Sequence, residues 1–352
     1  MQDHSILLIN TLSDFSELAE DWDKLANRNK YLSIFQSHSF IKSWLDVYGE
    51  QVEISIIVVK DSKSKIIFIA PMMVTNKIYF RYFKFRTMMF IGSERSDYCD
   101  FIYDKKNDNI FFYVLDFIKS NFPNILVLIQ NISELSPTYN FLKHMKDKKI
   151  LFEQTKCRYL DLSNIDIKKY KKKNIQNLKR RLEKKSELQI LDLNYSSGEN
   201  EFLKMFFKQH QSKWNKNSLF TDKKNRLLYK KLFKYLFLDK KIDFKALKQN
   251  NNILAMHFGF SHDKKFYYYK PTYNHDFSIF SPGIILLQYL IEYSIESGHK
   301  VFDFGSGNEP YKKRFSNKSH LNYSYIFTFN NYYKHLLIRF LNYLKNFINY
   351  LN

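Results

Sequence analysis

Phe302-Asp303-Phe304-Gly305-Ser306-Gly307-Asn308-Glu309-Pro310-Tyr311-Lys312-Lys313-Arg314-Phe315 is the stretch on which the reading of this chain turns. A strand-like run, Lys300 to Phe304, leads into it, and two acids, two glycines, a tyrosine and three cations are then packed into a turn. Glycine lets the backbone take conformations closed to other residues. Ionisable groups crowded at a strand end are what a polar reaction centre requires. Immediately upstream, Ser281-Pro282-Gly283 opens an apolar-periodic segment, Ile284 to Ser297, that stops at Gly298. Serine suits an N-cap, proline the first helical position and glycine the position just past the end. The order is therefore strand (Lys265 to Tyr273), loop, capped helix, strand (Lys300 to Phe304) and acid-rich turn.

Three readings compete for this block. Asp303 to Gly307 resembles the Asp-x-Gly-x-Gly loop with which methyltransferases grip S-adenosylmethionine. That loop closes the first strand of a doubly wound sheet, and several βα units must follow it. Here only a strand-like Asn322 to Phe329 and a helical tail remain. A kinase Asp-Phe-Gly reading fails because no Gly-rich nucleotide loop or His-Arg-Asp loop precedes it. The third reading takes in the upstream pieces. Ser281-Pro282-Gly283, the Gly298 helix end, and Asp303-Phe304-Gly305 running into Glu309-Pro310-Tyr311-Lys312 resemble the C-terminal core of the GNAT superfamily. The bacterial branch that matches is that of the BioF2-like or CelD-like acetyltransferases, kin to the FemAB peptidyltransferases. Weaker agreement extends to Phe35-Gln36-Ser37, Ser39-Phe40 and Trp44, to Asp97-Tyr98-Cys99-Asp100, and to Lys179-Arg180-Arg181-Leu182.

The resemblance implies an α/β (α+β) chain of tandem GNAT-like (acyl-CoA N-acyltransferase) domains, with mixed, mostly antiparallel sheets flanked by helices. The pattern of elements agrees. Residues 1–163 read as a first domain. Helices are predicted at Asp14 to Asn29 and Ser39 to Tyr48, and strands at Ile6 to Ile9, Val52 to Lys60, Lys65 to Val74 and Arg86 to Ile91. A βαβ-like unit follows: Tyr98 to Tyr103, helix Asn109 to Ser120, and Ile125 to Ile129. Residues 164–330 read as a second domain that holds the presumed active site. It has helices at Ile167 to Lys185, Glu199 to Trp214 and Asp222 to Leu238, and strands at Leu188 to Leu193, Ile242 to Gln249 and Asn252 to Ser261. Residues 331–352 read as an amphipathic helix, with Leu337, Phe340, Leu341, Leu344, Phe347, Ile348 and Leu351 at spacings of three and four. Packing on its own domain or a partner is one role for it, and contact with a membrane surface is the other.

At 352 residues, 45 % of them hydrophobic and 18 % aromatic, the chain can bury two ordinary cores and is not a disordered polymer. A net charge of +21 favours anionic partners without choosing among coenzyme A, phosphorylated sugars, RNA and anionic membrane. Lys168 to Lys185 alone holds ten cations against Glu183. It is either a nucleic-acid or anionic-substrate face, or a solvated helix face whose Ile175, Leu178 and Leu182 meet the core. Cys99 and Cys157 form no Cys-x-x-Cys pair, and the ten histidines show no ligand spacing, so no metal is expected. The N-terminus lacks the basic start and long apolar core of a signal peptide, and no run reaches the length of a membrane span. The sequence thus reads as cytoplasmic, with the tail either packed on protein or in peripheral contact with the inner membrane.

Acyl transfer from a thioester to an amine needs a held diphosphate, a deprotonated amine, a stabilised oxyanion and a proton for the leaving thiolate. A helix N-terminus suits the diphosphate. Ser281, Gly283 and Ile284 occupy such an end, either as the diphosphate site or as the start of an ordinary capped helix; typical GNAT loops carry Gln/Arg-x-x-Gly-x-Gly/Ala, and of that pattern this loop keeps Gly283. Asp303 is a candidate base, or else it bonds the Gly305 to Asn308 turn. Tyr311 resembles the tyrosine that protonates the thiolate in many GNAT enzymes. Glu309 and Lys312 form a local pair or meet substrate, with Glu309 as amine-binding group, and Arg314 meets a phosphate. His257 is a second candidate base, or else a satisfied core histidine. Lys270, Tyr269 and Tyr273 line an acceptor pocket or the sheet surface. Together these residues and the resemblance imply an acyl-CoA-dependent N-acyltransferase; that its acceptor is an amino sugar or another cell-envelope polysaccharide precursor is implied by the resemblance alone. Two rivals stand beside it: a FemAB-like aminoacyltransferase fed by aminoacyl-tRNA, and a non-catalytic protein that binds anionic surfaces.

Overall fold

Runs rich in Ile, Val and Phe, broken by proline and polar residues, set the strands of the first of two units. The structure is a computed structural model that describes residues 4–79, 81–104, 110–145, 149–165, 173–184, 186–193, 199–329, 336–341 and 343. Contacts divide the chain into Met1–Lys156 with His320–Asn352, and Cys157–Ser319. The first eight strands are β1 (Ser5–Ile9), β2 (Glu53–Ile54), β3 (Ile56–Lys60), β4 (Ile66–Ala70), β5 (Met72–Tyr79), β6 (Phe83–Phe90), β7 (Ile102–Tyr103) and β8 (Leu126–Ser133). β1, β3, β4 and β7 form an antiparallel sheet in that order. In the other sheet of this unit β2, β5 and β6 are antiparallel neighbours and β6 runs parallel to β8.

Five helices accompany them among the described residues: α1 (Leu12–Glu17), α2 (Ala19–Ala26), α3 (His38–Tyr48), α4 (Ile110–Asn121) and α5 (Pro137–His144). Several boundaries differ from the sequence expectation. The single helix expected at Asp14 to Asn29 breaks at Leu18, and the strand expected at Lys65 to Val74 breaks at Pro71, which has no N–H for a ladder. The βαβ-like unit is corrected as well: β7 pairs with β4, and the parallel partner of β8 is β6. Only Ile102 and Tyr103 keep ladder geometry, because Cys99 and Phe101 spend their N–H groups on the Asn131 carbonyl and the Asp100 carboxylate. Phe68, Met88, Phe90, Phe111, Val127 and Phe327 are among the side chains of this unit's core.

In the second unit the elements are β9 (Lys149–Asp161, of which Cys157 onward belongs here), α6 (Lys173–Glu183), β10 (Leu188–Asp192), α7 (Glu199–Trp214), α8 (Lys223–Leu238) and β11 (Ile242–Gln249). β12 (Asn252–His262), β13 (Lys265–Tyr273), α9 (Pro282–Glu296), β14 (Val301–Ser306) and α10 (Pro310–Phe315) complete it. β10 to β13 form an antiparallel meander, β13 pairs parallel with β14, and β14 antiparallel with β9. On one face Leu254, Phe266, Tyr268 and Phe302 pack with Leu286, Leu290 and Leu182 from α9 and α6. On the other, Phe244, Phe258, Phe260 and Tyr269 join an aromatic cluster with Phe206 of α7 and Tyr229 of α8. β15 (Lys318–Thr328) pairs its Asn322–Thr328 stretch with β8, so residues from His320 fall in the first unit.

In α6, Ile175 and Leu182 are buried, which gives the basic segment an apolar stripe against the core. Residues 167–172 and 185 of the expected helix lie outside the described residues, as does the expected tail helix apart from 336–341 and 343. No described helix is long and apolar enough to cross a membrane.

Candidate active site

Two strand irregularities open the site. β13 and β14 pair only through Lys265–Tyr267 and Val301–Asp303, although β13 continues to Tyr273. Against β12, Phe258 faces Lys270 while Phe260 faces Tyr267, so Tyr268 and Tyr269 together stand opposite Gly259. Such a bulge bends its strand and strengthens its twist, and here it turns β13 away from β14. β14 has its own shift, with Asp303 facing Tyr159 and Ser306 facing Cys157. Gly305 lies in that shift at φ 67°, a conformation that suits a residue without Cβ. Asp303 Oδ1 accepts the Gly305 N–H at 2.7 Å and so fixes the turn.

At the open end lies a cavity of about 260 Å³, bounded by the start of α9, the end of β13 and Tyr311 of α10. The helix begins differently from the sequence expectation. Ser281 is not a side-chain cap: it takes the left-handed conformation, φ 50° and ψ 51°, and its hydroxyl makes no capping bond. Its carbonyl instead accepts the N–H groups of Ile284 and Ile285. Pro282 has no N–H, so Gly283 offers the first-turn donor that has no backbone acceptor among the described residues. A Cβ on Gly283 would meet Tyr273 at 3.5 Å, ordinary contact, so the absence of a side chain there leaves space in the cavity without being needed for packing. The far end follows expectation, with Gly298 at φ 77° just beyond the helix.

Of the residues singled out from sequence, Ser281, Gly283, Ile284, Tyr273 and Tyr311 line the cavity. Asp303, His257, Tyr269, Lys270, Glu309, Lys312 and Arg314 are not in its lining. Tyr269 turns to the aromatic cluster, where its ring lies 5.1 Å from that of Phe260, and Lys270 Nζ sits 4.6 Å over the Tyr269 ring. Glu309 pairs locally with Lys312 at 2.9 Å, and the buried Lys312 also donates to the Ser306 carbonyl at 2.6 Å, latching α10 to the turn. Arg314 is exposed beside Phe315. His257 is fully buried on the α9 face of β12, stacked on Tyr268 at 4.7 Å.

Tyr268, Thr272 and Lys213 belong to the lining and were not picked out from sequence. Regular alternation cannot say which of two adjacent tyrosines faces the cavity when a bulge intervenes, and Lys213 arrives from α7 with no motif around it. Its ammonium lies 4.6 Å from the Tyr273 ring and 5.0 Å from that of Trp214, and burial lowers its pKa. Tyr268 is held well above the ordinary tyrosine range, first by burial and then by Tyr311, so its phenol stays neutral. His210 accepts from or donates to Ser218 Oγ at 2.8 Å. Burial, then Lys270 and Lys213, push its pKa down to about 4. Among the described residues no cluster of His, Cys, Asp and Glu could hold a metal ion.

Residues 169–313 match the family model described as acetyltransferase (GNAT) domain. This chain carries a GNAT acyltransferase domain. The matched segment runs from the basic helix through the β13–β14 splay to α10. Solved structures agree on the fold across nearly the whole chain. FemX superposes with a TM-score of 0.62 at 12 % identity, covering 93 % of this chain and 98 % of that one. A C-terminal domain from Agrobacterium fabrum, described as that of a lysylphosphatidylglycerol synthetase, gives 0.57 at 10 % identity, covering 92 % and 95 %. L-PGS from Bacillus licheniformis gives 0.54 at 11 % identity, covering 94 % and 97 %. At such identities the likeness carries the fold alone. No curated protein matches the sequence.

Proposed function

We propose that this GNAT acyltransferase takes its acyl group from acyl-coenzyme A and passes it to an amine, that of an amino sugar or another cell-envelope polysaccharide precursor. The observation that carries the reading is the cavity at the start of α9, where Gly283 presents no side chain and an N–H that has no backbone acceptor among the described residues. The positive end of a helix and free backbone donors suit a diphosphate. Lys213 adds a cation in the same lining, with no ion-pair partner among the described residues. These groups fit the charged part of coenzyme A.

In the transfer, the amine nitrogen attacks the thioester carbonyl, the C–S bond breaks and the electron pair leaves on sulfur. Tyr311, in the lining, supplies the thiolate with a proton. The amine's proton passes to water. Asp303 serves here by holding the Gly305 turn that leads into α10 and so presents Tyr311.

Transfer from aminoacyl-tRNA is a second reading. The fold likeness to FemX and the net charge of +21 favour it. Calorimetric titration with acetyl-CoA and free CoA, wild type beside Gly283→Trp, tests the first reading. Saturable binding that the indole abolishes supports it. Absence of binding to either ligand, with RNase-sensitive transfer, moves the donor to tRNA.

A further inference from the structure

We propose that His257 is a positioning residue: its ring braces the bulge in β13 that opens the donor cleft and sets Tyr268 in the cavity wall. The inference rests on the acyl-CoA reading for its functional consequence, while the brace itself does not depend on which donor is used. Where Tyr268 and Tyr269 both stand opposite Gly259, β12 has one residue fewer than the ladder needs. A buried N–H left over in this way requires an acceptor. His257 Nε2 lies 3.2 Å from the Tyr269 nitrogen and accepts its N–H, so a side chain stands in for the missing backbone carbonyl. The ring proton then sits on Nδ1, which has no hydrogen-bond partner among the described residues.

Three further features make the brace specific. The imidazole lies parallel to Tyr268, 4.7 Å away with planes 5° apart, and 5.5 Å from Phe266, so the ring that bonds one bulged residue stacks on the other. A Cβ on residue 259 would come within 2.2 Å of His257 Cε1 and 2.4 Å of the Tyr267 carbonyl, so Gly259 is the residue that lets the ring lie there. The charged groups around it are Lys245, directly across on β11, with its partners Asp192 and Asp243. Tyr293 of α9 covers the Lys245 ammonium at 4.2 Å. Burial first, then Lys245, push the His257 pKa down from 6.5 to about 3. The folded pKa lies below the unfolded one, so the neutral ring's contribution is complete above pH 6.5 and is lost as pH falls toward 3. The acceptor therefore persists at any pH near neutrality, as a fixed brace must.

The test compares wild type with His257→Leu, which keeps bulk without an acceptor, and His257→Gln, which restores one. Hydrogen exchange of the Tyr269 amide and the affinity for free CoA are measured on each. Nitrogen-15 spectra of the wild-type ring are recorded from pH 8 to 4. The expected result is an Nδ1–H tautomer that does not titrate in this range. With Leu, exchange at Tyr269 becomes at least about tenfold faster and CoA affinity falls about tenfold, and Gln recovers most of both. Wild-type exchange and affinity in the Leu variant, or a ring protonated on Nε2, overturns the proposal. If Leu fails to fold, the ring spectra and the Gln variant still decide it. If wild type does not bind CoA, the donor reading fails, and exchange at Tyr269 decides the brace alone.

Discussion

Each unit contains a short parallel strand pair, and the two are treated in opposite ways. In the first, β6 and β8 pair through Thr87–Met89 and Leu126–Leu128; in the second, β13 and β14 pair through Lys265–Tyr267 and Val301–Asp303. Beyond the first pair, the chain after β6 is stitched to β8. Ser93 donates to the Gln130 side chain at 3.0 Å, Asn131 Nδ2 to the Ser96 carbonyl at 3.0 Å, and Cys99 N–H to the Asn131 carbonyl at 3.1 Å. Asp100 anchors the same region, accepting from the Ser136 and Thr138 hydroxyls at 2.5 Å each. Beyond the second pair a cavity remains, walled by tyrosines and the start of α9. The first splay is closed into scaffold by the bonds made across it, whereas at the second the Gly283 N–H has no backbone acceptor among the described residues.

Breaking the second pair's opening should have the largest effect. Gly283→Trp should abolish CoA binding while leaving the circular dichroism spectrum unchanged, since the new side chain grows into the cavity. Tyr311→Phe should come next, lowering kcat by about a hundredfold, in the range of general acid catalysis, with the CoA dissociation constant little changed in calorimetry. Asp100→Asn sharpens the contrast from the other side. It should lose about 1–3 kcal/mol in urea unfolding and leave CoA affinity intact. Burial raises the Asp100 pKa to about 6, so its contribution is complete below the ordinary 3.8 and is lost as pH rises through 6. Unfolding at pH 5 and pH 7.5 should therefore show a weaker pH dependence in the Asn variant. Glu309→Gln should do least. Its pair with Lys312 is half exposed, and stability should fall by under about 1 kcal/mol. An unchanged KM for the amine in this variant would remove Glu309 from the acceptor site.

The order of elements around the quoted stretch was legible because its signals are local. Proline at the start of α9, glycine after its end and the aromatic-rich run of β13 each speak within a few residues. The two-sided packing of β12 and β13 was not, since a strand buried on both faces loses its alternation. Nor was the bulge, which depends on Gly259 meeting Tyr268 and Tyr269 across a strand pair. That one irregularity is why Tyr268 lines the cavity where Tyr269 was expected. It also accounts for His257, expected as a candidate base or a core histidine, sitting behind the wall and bonding Tyr269. Ser281 misled for a local reason: the sequence pattern of a cap is present, but its left-handed backbone directs its carbonyl, not its hydroxyl, to the first turn.

The most direct measurement is a crystal structure of the protein with CoA bound. The expected result is density for the diphosphate within hydrogen-bonding distance of the Gly283 nitrogen, with the thiol end toward Tyr311. Diphosphate density elsewhere, with the start of α9 and Tyr311 bare, would contradict the account.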